Sequence, residues 1–248
     1  MKKIISFIPN LLTLLNLASG TLAVIFAIDG DLGKAAILIF IAAVFDFLDG
    51  FAARLLKAYS DFGKELDSLA DVVSFGVAPG LIMFTLMELA LFGENLPLQQ
   101  VSASTWEWPF LLSALLIPMF SAYRLAKFNT DTRQTVNFLG LPTPANAIIW
   151  AGFGLMSGYS FNEELLILIF SPGNLLITAV ITSLLLISEI PMFSLKFRGF
   201  QLYDNWYRYI FLVAALLLII LTGVYSPAII ILLYISLSIS FYLLKIDI

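Results

Sequence analysis

The 248-residue chain contains no cysteine and no histidine. Those absences exclude disulfides, thiolate and imidazole nucleophiles, and the usual zinc ligands. Acid–base chemistry is left to Asp, Glu, Lys and Tyr, and any metal site must be built from oxygen. Oxygen-only sites favour Mg²⁺, Mn²⁺ or Ca²⁺. Charge is also scarce. Asp, Glu, Lys and Arg make up 12% of the residues, against about a quarter in an ordinary soluble domain. The net charge of −4 is a poor guide to partners, because in such a chain the placement of charge matters more than its sum. No nucleic-acid partner is expected, and neither an internal repeat nor a low-complexity tract is present.

What the chain has instead is apolar sequence. Hydrophobic residues account for 60% of it, and the mean hydropathy is +0.98. Windows of about twenty apolar residues mark membrane spans. They fall near 11–28, 33–55, 67–92, 108–127, 141–160, 173–192, 208–224 and 227–244. The spacing thus predicts an all-α polytopic membrane protein with about eight transmembrane helices. The weak stretch from Leu165 to Phe170 is too short to cross and is expected at the interface. The first span follows Lys2-Lys3 in the manner of a signal peptide, but it is long enough to cross and no small-x-small cleavage site follows it. A retained helix is therefore expected, with a cleaved signal as the alternative.

With the N-terminus inside, all of the 13 Lys+Arg except Lys34 fall on the cytoplasmic side. The opposite loops carry Asp29, Asp31, Glu94, Glu163 and Glu164. The positive-inside rule then predicts both termini in the cytoplasm. Trp106, Trp108, Tyr203, Trp206, Tyr207 and Tyr209 lie near span ends and are expected as interfacial anchors.

Against this apolar background stand four aspartates: Asp46-x2-Asp49-Gly50-x2-Ala53-Arg54-x8-Gly63-x3-Asp67-x3-Asp71. A charge at membrane depth costs roughly 2.5 to 3.5 kcal/mol per residue on insertion scales, so the group calls for a cation or a chemical task. Asp46 and Asp49 are three apart, and Asp67 and Asp71 four apart; on helices each pair shares one face. Leu56 to Gly63 forms a short polar connection, which makes the two helices antiparallel neighbours able to aim four carboxylates at one point. One or two divalent cations would relieve the repulsion, and paired metals are a known device for displacement at phosphorus. Gly50 and Ala53 remove bulk beside the carboxylates, as Gly63 does at the next helix entry. Arg54 offers a planar fork for a phosphate or a carboxylate. The alternative for Gly50 and Ala53 is small-residue helix packing.

The pattern D-x2-D-G-x2-A-R-x8-G-x3-D-x3-D resembles the signature of the CDP-alcohol phosphotransferase family, with all eight fixed positions filled. The resemblance implies a helical membrane enzyme, a homodimer, whose six-helix catalytic core occupies about residues 1–200, with two further helices in 201–248. It implies Mg or Mn as cofactor and transfer of a phosphate-linked group from a CDP-activated donor to an alcohol, with release of CMP. On that resemblance Asp46, Asp49, Asp67 and Asp71 form the metal site, and Asp71 is the candidate base. Asp49, Gly50, Ala53, Arg54, Gly63 and Asp67 are the candidate residues for the CDP-linked donor.

The stretch Asp67-Ser68-Leu69-Ala70-Asp71-Val72-Val73-Ser74-Phe75-Gly76-Val77-Ala78-Pro79 resembles the membrane-integral phosphatidylserine synthases of bacteria and archaea. So do Pro9-Asn10-Leu11-Leu12-Thr13, Arg124 to Asn129, and Gly140 to Ala145. That branch implies CDP-diacylglycerol as donor, L-serine as acceptor, and a site on the cytoplasmic face of the inner membrane. Arg124, Lys127, Asn129 and Lys196 are then candidates for the serine pocket, with Arg133 and Arg198 nearby. Ordinary positive-inside anchoring is the alternative for each of these cations. Glu189 calls for a partner, either a basic side chain or the serine ammonium. The same cations suit glycerol 3-phosphate, the acceptor of the phosphatidylglycerol-phosphate branch. Outside the class, an aspartate cluster among eight spans also fits a divalent-cation carrier.

Overall fold

The computed structural model describes residues 7–97, 99–130, 138–195 and 201–245. Among the described residues the chain is a helical bundle: α1 Phe7–Ile28, α2 Leu32–Leu55, α3 Asp61–Phe92, α4 Trp108–Thr130, α5 Thr143–Tyr159, α6 Glu163–Ile169, α7 Pro172–Ile187, α8 Leu202–Thr222 and α9 Ser226–Leu243. Apart from helices there is one short antiparallel pairing, β1 Phe138–Leu139 with β2 Pro191–Met192.

Five helical stretches are long and apolar enough to cross a membrane, or six if α6 and α7, bent by 55°, count as one span. The chain is therefore a multi-pass membrane protein, with five to six candidates where the sequence predicts eight spans. The difference lies in two places. Helix α5 has 17 residues, at the short end of what reaches across a hydrocarbon core. Helices α8 and α9 lie within a single 39-residue apolar stretch, Asn205–Leu243. That stretch folds back on itself at Gly223, where φ is +54°. The Tyr207 and Phe241 rings stand 5.9 Å apart and those of Phe211 and Tyr234 6.0 Å, which a continuous helix of roughly 58 Å would forbid. The short apolar run expected at the interface is α6, whose residues are all at least partly exposed.

Proline punctuates these rods. Pro144, Pro172 and Pro227 sit in first turns, where the missing N–H is no loss. Pro79 and Pro118 lie inside helices, where each removes one i→i−4 bond. Just before them the helices change pitch, to a π-turn at Val73–Val77 in α3 and a 3₁₀ turn at Ser113–Leu115 in α4. The two irregular stretches nest together. A Cβ on Gly80 would meet Pro118 at 2.9 Å, and one on Gly76 would meet Ser121 at 3.2 Å.

Small residues set the other close crossings, as lipid-embedded helices require. Ser19, Gly20, Ala23 and Ala27 form the buried stripe of α1 and Ala35, Ala36 and Ala42 that of α2. A large apolar core joins α1, α2, α3, α4, α5 and α7. A second core gathers Tyr207, Phe211, Tyr234 and Phe241 around Phe193. There the sequence expectation fails. Tyr207 is not an interfacial anchor but a core side chain, and Arg208 is buried with it. Arg208 donates Nε to the Ser194 carbonyl at 2.8 Å and Nη1 to Asn205 Oδ1 at 2.9 Å, and its guanidinium lies 4.5 Å from the Tyr207 ring centre. Tyr203, Trp206, Trp106 and Trp108 are exposed, as anchors should be.

At the end of the bundle away from the aspartates, Asp31 caps α2 by accepting from the Lys34 amide at 3.0 Å. Its hydrogen bond to the Lys34 ammonium holds the Asp31 carboxyl below the usual range.

The crossing of α1 on α3 gives a test of this packing. A Cβ on Gly20 would fall 2.6 Å from Ser74 Cα and closer still to its hydroxyl. Gly20→Ala should lower stability in detergent by about 1–3 kcal/mol, the usual cost of overpacking. Gly173→Ala, which faces open space, should change the melting temperature little. Equal effects would show that the close approach is not what holds the two helices in register.

Candidate active site

The aspartate pattern divides between two helices that the short Leu56–Ser60 connection turns back on each other. Lys57 sits in the left-handed region, φ +50°. Ser60 then caps α3, accepting from the Gly63 amide at 3.0 Å. This geometry explains Gly63, since a Cβ there would meet Ser60 Oγ at 3.0 Å and Asn10 Oδ1 at 3.2 Å.

Asp46 and Asp49 from α2 and Asp67 from α3 meet with one oxygen each inside a mutual 4.8 Å. Asp49 is buried and the other two are half-buried. Among the described residues no Lys or Arg pairs with any of the four aspartates, since the ion pairs are Lys34–Asp31 and Lys127–Glu189. Asp67 Oδ1 is buried without a hydrogen-bond partner. A trio of anionic oxygens with an orphaned lone pair and no protein cation fits a hard divalent ion. Asp71, one turn beyond Asp67, stands outside the trio. It is buried, and its Oδ1 accepts from Asn16 Nδ2 at 3.2 Å.

Helix α1 completes the site, which the reading of the sequence missed. Thr13 donates to Asp49 Oδ2 at 2.6 Å, and Asn16 holds Asp71. Ser74, in the π-turn, donates to the Asn16 carbonyl at 3.0 Å and so ties α1 to α3 beside Asp71. The available signal was a Thr and an Asn three apart in an apolar run, on one helix face. Such second-layer hydrogen bonds orient carboxylate ligands.

A cleft of about 200 Å³ opens beside the trio, and Asp49 and Asp67 form part of its wall. Gly50, Ala53 and Gly63 line it too, with Asn10, Tyr59 and Lys64. Gly50 faces open space, with no heavy atom within 4 Å of where a Cβ would be. Small-residue packing therefore does not explain Gly50. Arg54 is exposed and outside the lining, so the cation of the cleft wall is Lys64. Lys64 also donates Nζ to the Asn129 carbonyl at 3.1 Å. A larger hollow of about 600 Å³ lies at the opposite end of the bundle, bounded by Tyr159, Phe161 and Tyr225, far from the carboxylates.

The candidates for the acceptor pocket separate. Lys127 pairs with Glu189 at 3.6 Å. This gives Glu189 a basic partner, at a position beyond the end of α7 that is largely exposed. Asn129 bridges to α3, donating Nδ2 to Ser68 Oγ at 2.8 Å. Arg124 is buried, donating Nη1 to Thr143 Oγ1 at 3.0 Å and lying over the Phe128 ring. It is within electrostatic reach of Asp71. Lys196, with Arg133 and Arg198, lies outside the described residues.

The sequence profile of CDP-alcohol phosphatidyltransferases matches residues 6–185, which include the four aspartates, their α1 donors and the whole lining of the cleft. The chain belongs to the CDP-alcohol phosphatidyltransferase family. It is 39% identical over 163 residues to the archaetidylserine synthase of Methanothermobacter thermautotrophicus, covering 64% of this chain and 63% of that one. To the CDP-diacylglycerol–serine O-phosphatidyltransferase of Methanocaldococcus jannaschii it is 37% identical over 170 residues, 68% of this chain and 71% of that one. The protein of the same name in Bacillus subtilis is 35% identical over 141 residues, 56% of this chain and 70% of its own length. The matched part thus spans about two thirds of these relatives, between 63% and 71%. This family uses a divalent metal, and the phosphatidyltransferase carboxylates here provide for one.

A metal titration checks the geometry. Mg²⁺ or Mn²⁺ should raise the melting temperature of the purified protein, because an ion that binds only the folded state stabilises it. Thr13→Val should raise the half-saturating metal concentration about 10- to 100-fold, the usual effect of removing a ligand-orienting hydrogen bond. An unchanged midpoint would mean that Thr13 does not orient a metal ligand.

Proposed function

We propose that this phosphatidyltransferase moves the phosphatidyl group of CDP-diacylglycerol to the hydroxyl of L-serine, forming phosphatidylserine and CMP. The observation that carries the reading is the carboxylate trio, two of whose members, Asp49 and Asp67, form part of the wall of a cleft that Gly50, Ala53 and Gly63 also line. A nucleotide needs such a slot, and a transferring phosphate needs such a charge site. The acceptor is taken from the names of the three relatives above, two serine O-phosphatidyltransferases and an archaetidylserine synthase.

In this reading Asp46, Asp49 and Asp67 hold the divalent ion, with Asp71 completing the site. The ion would neutralise the pyrophosphate and the charge that develops on the CMP oxygen. Gly50, Ala53 and Gly63 leave room for the cytidine end of the donor, and Lys64 faces its phosphates from the cleft wall. Arg54, exposed at the end of α2, would act at the cleft's rim. Asn16 orients Asp71 so that its carboxylate accepts the serine hydroxyl proton as the oxygen attacks phosphorus. The new P–O bond forms on the diacylglycerol phosphate as the bond to CMP breaks. Arg124 offers its charge to the serine carboxylate. Lys127 and Asn129 brace the same end of α4, with Lys196 assigned there on sequence grounds.

The finer topology follows the same reading. We take the rods α1, α2, α3, α4, α5, α6–α7, α8 and α9 as eight crossings, with residues 1–200 as the catalytic unit and 201–248 as an added helical pair. Both termini and the aspartates then share the cytoplasmic face of the inner membrane, where the excess of Lys and Arg lies. A homodimer, and either Mg²⁺ or Mn²⁺ as the ion, complete the proposal. Glycerol 3-phosphate is the rival acceptor, because the same buried Arg124 suits a phosphate.

The test is product analysis with purified protein, CDP-diacylglycerol, Mg²⁺ or Mn²⁺, and labelled L-serine or glycerol 3-phosphate in parallel. Labelled phosphatidylserine with matching CMP is expected. Lipid formed only from glycerol 3-phosphate would transfer the protein to the other branch, and no CMP with either would reopen the carrier reading. Asp71→Asn should abolish turnover, a loss of about 10²-fold or more for a missing general base, while sparing donor binding. Gly50→Leu should do the converse, raising KM for the donor in a protein that melts normally.

A further inference from the structure

Several polar atoms in the bundle interior have no hydrogen-bond partner among the described residues, and three of the side chains concerned stand on two adjoining helices. On α4, the Ser121 hydroxyl is unpartnered, and so is Nε of Arg124, three residues on. On α5, both amide atoms of Asn146 are unpartnered, three residues after Thr143. Ser121 and Asn146 are 0% exposed and Arg124 is 7%. The Arg124–Thr143 hydrogen bond joins the two faces that carry them. Buried polar groups are nearly always paired, so each exception asks for an explanation.

Their placement gives one. Each side chain lies within three turns of the bundle end that holds the aspartates, reckoned from Thr130 at the end of α4 and Thr143 at the start of α5. Ser121 packs against the Gly76 turn of α3, five residues beyond Asp71, and Arg124 senses the Asp71 charge. Arg124 has no ion-pair partner among the described residues, so the buried guanidinium stands with no carboxylate in contact with it. The open valences comprise donors from Arg124, Ser121 and the Asn146 amide nitrogen, and acceptors on the Asn146 carbonyl oxygen and the Ser121 hydroxyl oxygen. Donors beside a cation suit a carboxylate. An acceptor next to them suits an ammonium. The set therefore matches a small zwitterion better than a phosphate monoester.

We propose that Arg124, Ser121 and Asn146 form the subsite for the carboxylate and ammonium of the acceptor, with Asn146 the residue that selects an amino-acid alcohol. This rests on the transferase reading above and adds to it the residues that read the acceptor. Asn146 acts by touching both charged groups at once, and Arg124 by supplying the counter-charge. Binding the acceptor completes hydrogen bonds that the free protein leaves open.

The experiment uses the full chain in detergent and compares L-serine with ethanolamine, which lacks the carboxylate, and 3-hydroxypropionate, which lacks the ammonium. Asn146→Leu keeps the volume and removes both orphaned atoms. It should raise KM for L-serine about tenfold or more and narrow the preference for L-serine over both analogues. KM for CDP-diacylglycerol should not move. The melting temperature without ligand should hold or rise, because an unpaired buried amide is destabilising. Ser121→Ala should raise KM for L-serine more modestly, with partial recovery in Ser121→Thr, and serves if the Leu variant does not fold.

Unchanged serine KM and unchanged selectivity in both variants would overturn the proposal and leave the orphaned atoms to internal water. So would an equal loss for every acceptor and for the donor. A second readout separates this from failure of the transferase reading. L-serine should raise the melting temperature of the wild-type protein and not that of Asn146→Leu. That difference would support the subsite even if no lipid product formed, and no shift in either protein, from a wild type that makes phosphatidylserine, would count against it.

Discussion

Three carboxylates whose oxygens lie within 4.8 Å of one another, in a bundle whose two cores are apolar, impose the main constraint on this fold. Their mutual repulsion is met by no protein cation among the described residues. The chain answers with geometry. It places Asp46 and Asp49 near the end of α2 and Asp67 near the start of α3, so that the short capped turn between the helices sets their separation. It then supplies neutral hydrogen-bond donors, Thr13 and Asn16, from a third helix. Neutral donors steady a carboxylate without cancelling its charge, which keeps the oxygens available to a metal. An arginine in place of Thr13 would satisfy Asp49 and destroy the site.

For α1 to deliver those donors its backbone must lie close to both α2 and α3. This is the reason for its stripe of Ser19, Gly20, Ala23 and Ala27, and for the hydrogen bond from Ser74 to the Asn16 carbonyl. Ser74 can reach that carbonyl from within the π-turn that precedes Pro79. The same irregular stretch of α3 receives Ser121 and Pro118 of α4 against Gly76 and Gly80. One proline-induced change of pitch thereby fixes two things at once: the clamp on Asp71 from one side and the approach of the α4 polar face from the other.

Much of the site was legible in the sequence because its key distances are local. Three- and four-residue spacings on helices determine which carboxylates share a face, and a connection as short as Leu56–Ser60 permits only an antiparallel neighbour. Gly50, Ala53 and Gly63 could be placed near the aspartates for the same reason. Thr13 and Asn16 could not, since nothing in an i, i+3 polar pair says which distant helix it faces. Tyr207 was misread because an aromatic cluster at a span end has the composition of an interfacial belt, and Arg208 is buried beside it. Their burial is decided by Phe193, whose segment is long-range in sequence and folds under them. The last two spans, expected near 208–224 and 227–244, are the separate helices α8 and α9, and the contact of Tyr207 with Phe241 shows the chain reversing between them.

Those contacts also give the last two helices a part in the site, although they lie beyond the stretch matched by the family profile. The Tyr234 hydroxyl of α9 donates to the Phe193 carbonyl at 2.9 Å, and Tyr234 is near enough to Arg124 to interact with its charge. Arg208 of α8 holds the next carbonyl, that of Ser194. Two successive backbone groups of the strand segment after α7 are thus fixed from the C-terminal hairpin, while β2 pairs with β1 just ahead of α5. The wall behind Arg124, Thr143 and Asn146 is held in place by residues more than forty positions downstream. A family core supplies the carboxylates and the cleft. The hairpin stiffens the side of the bundle where unsatisfied donors wait, and a buried guanidinium with an open valence is tolerable only in a wall that cannot collapse onto it.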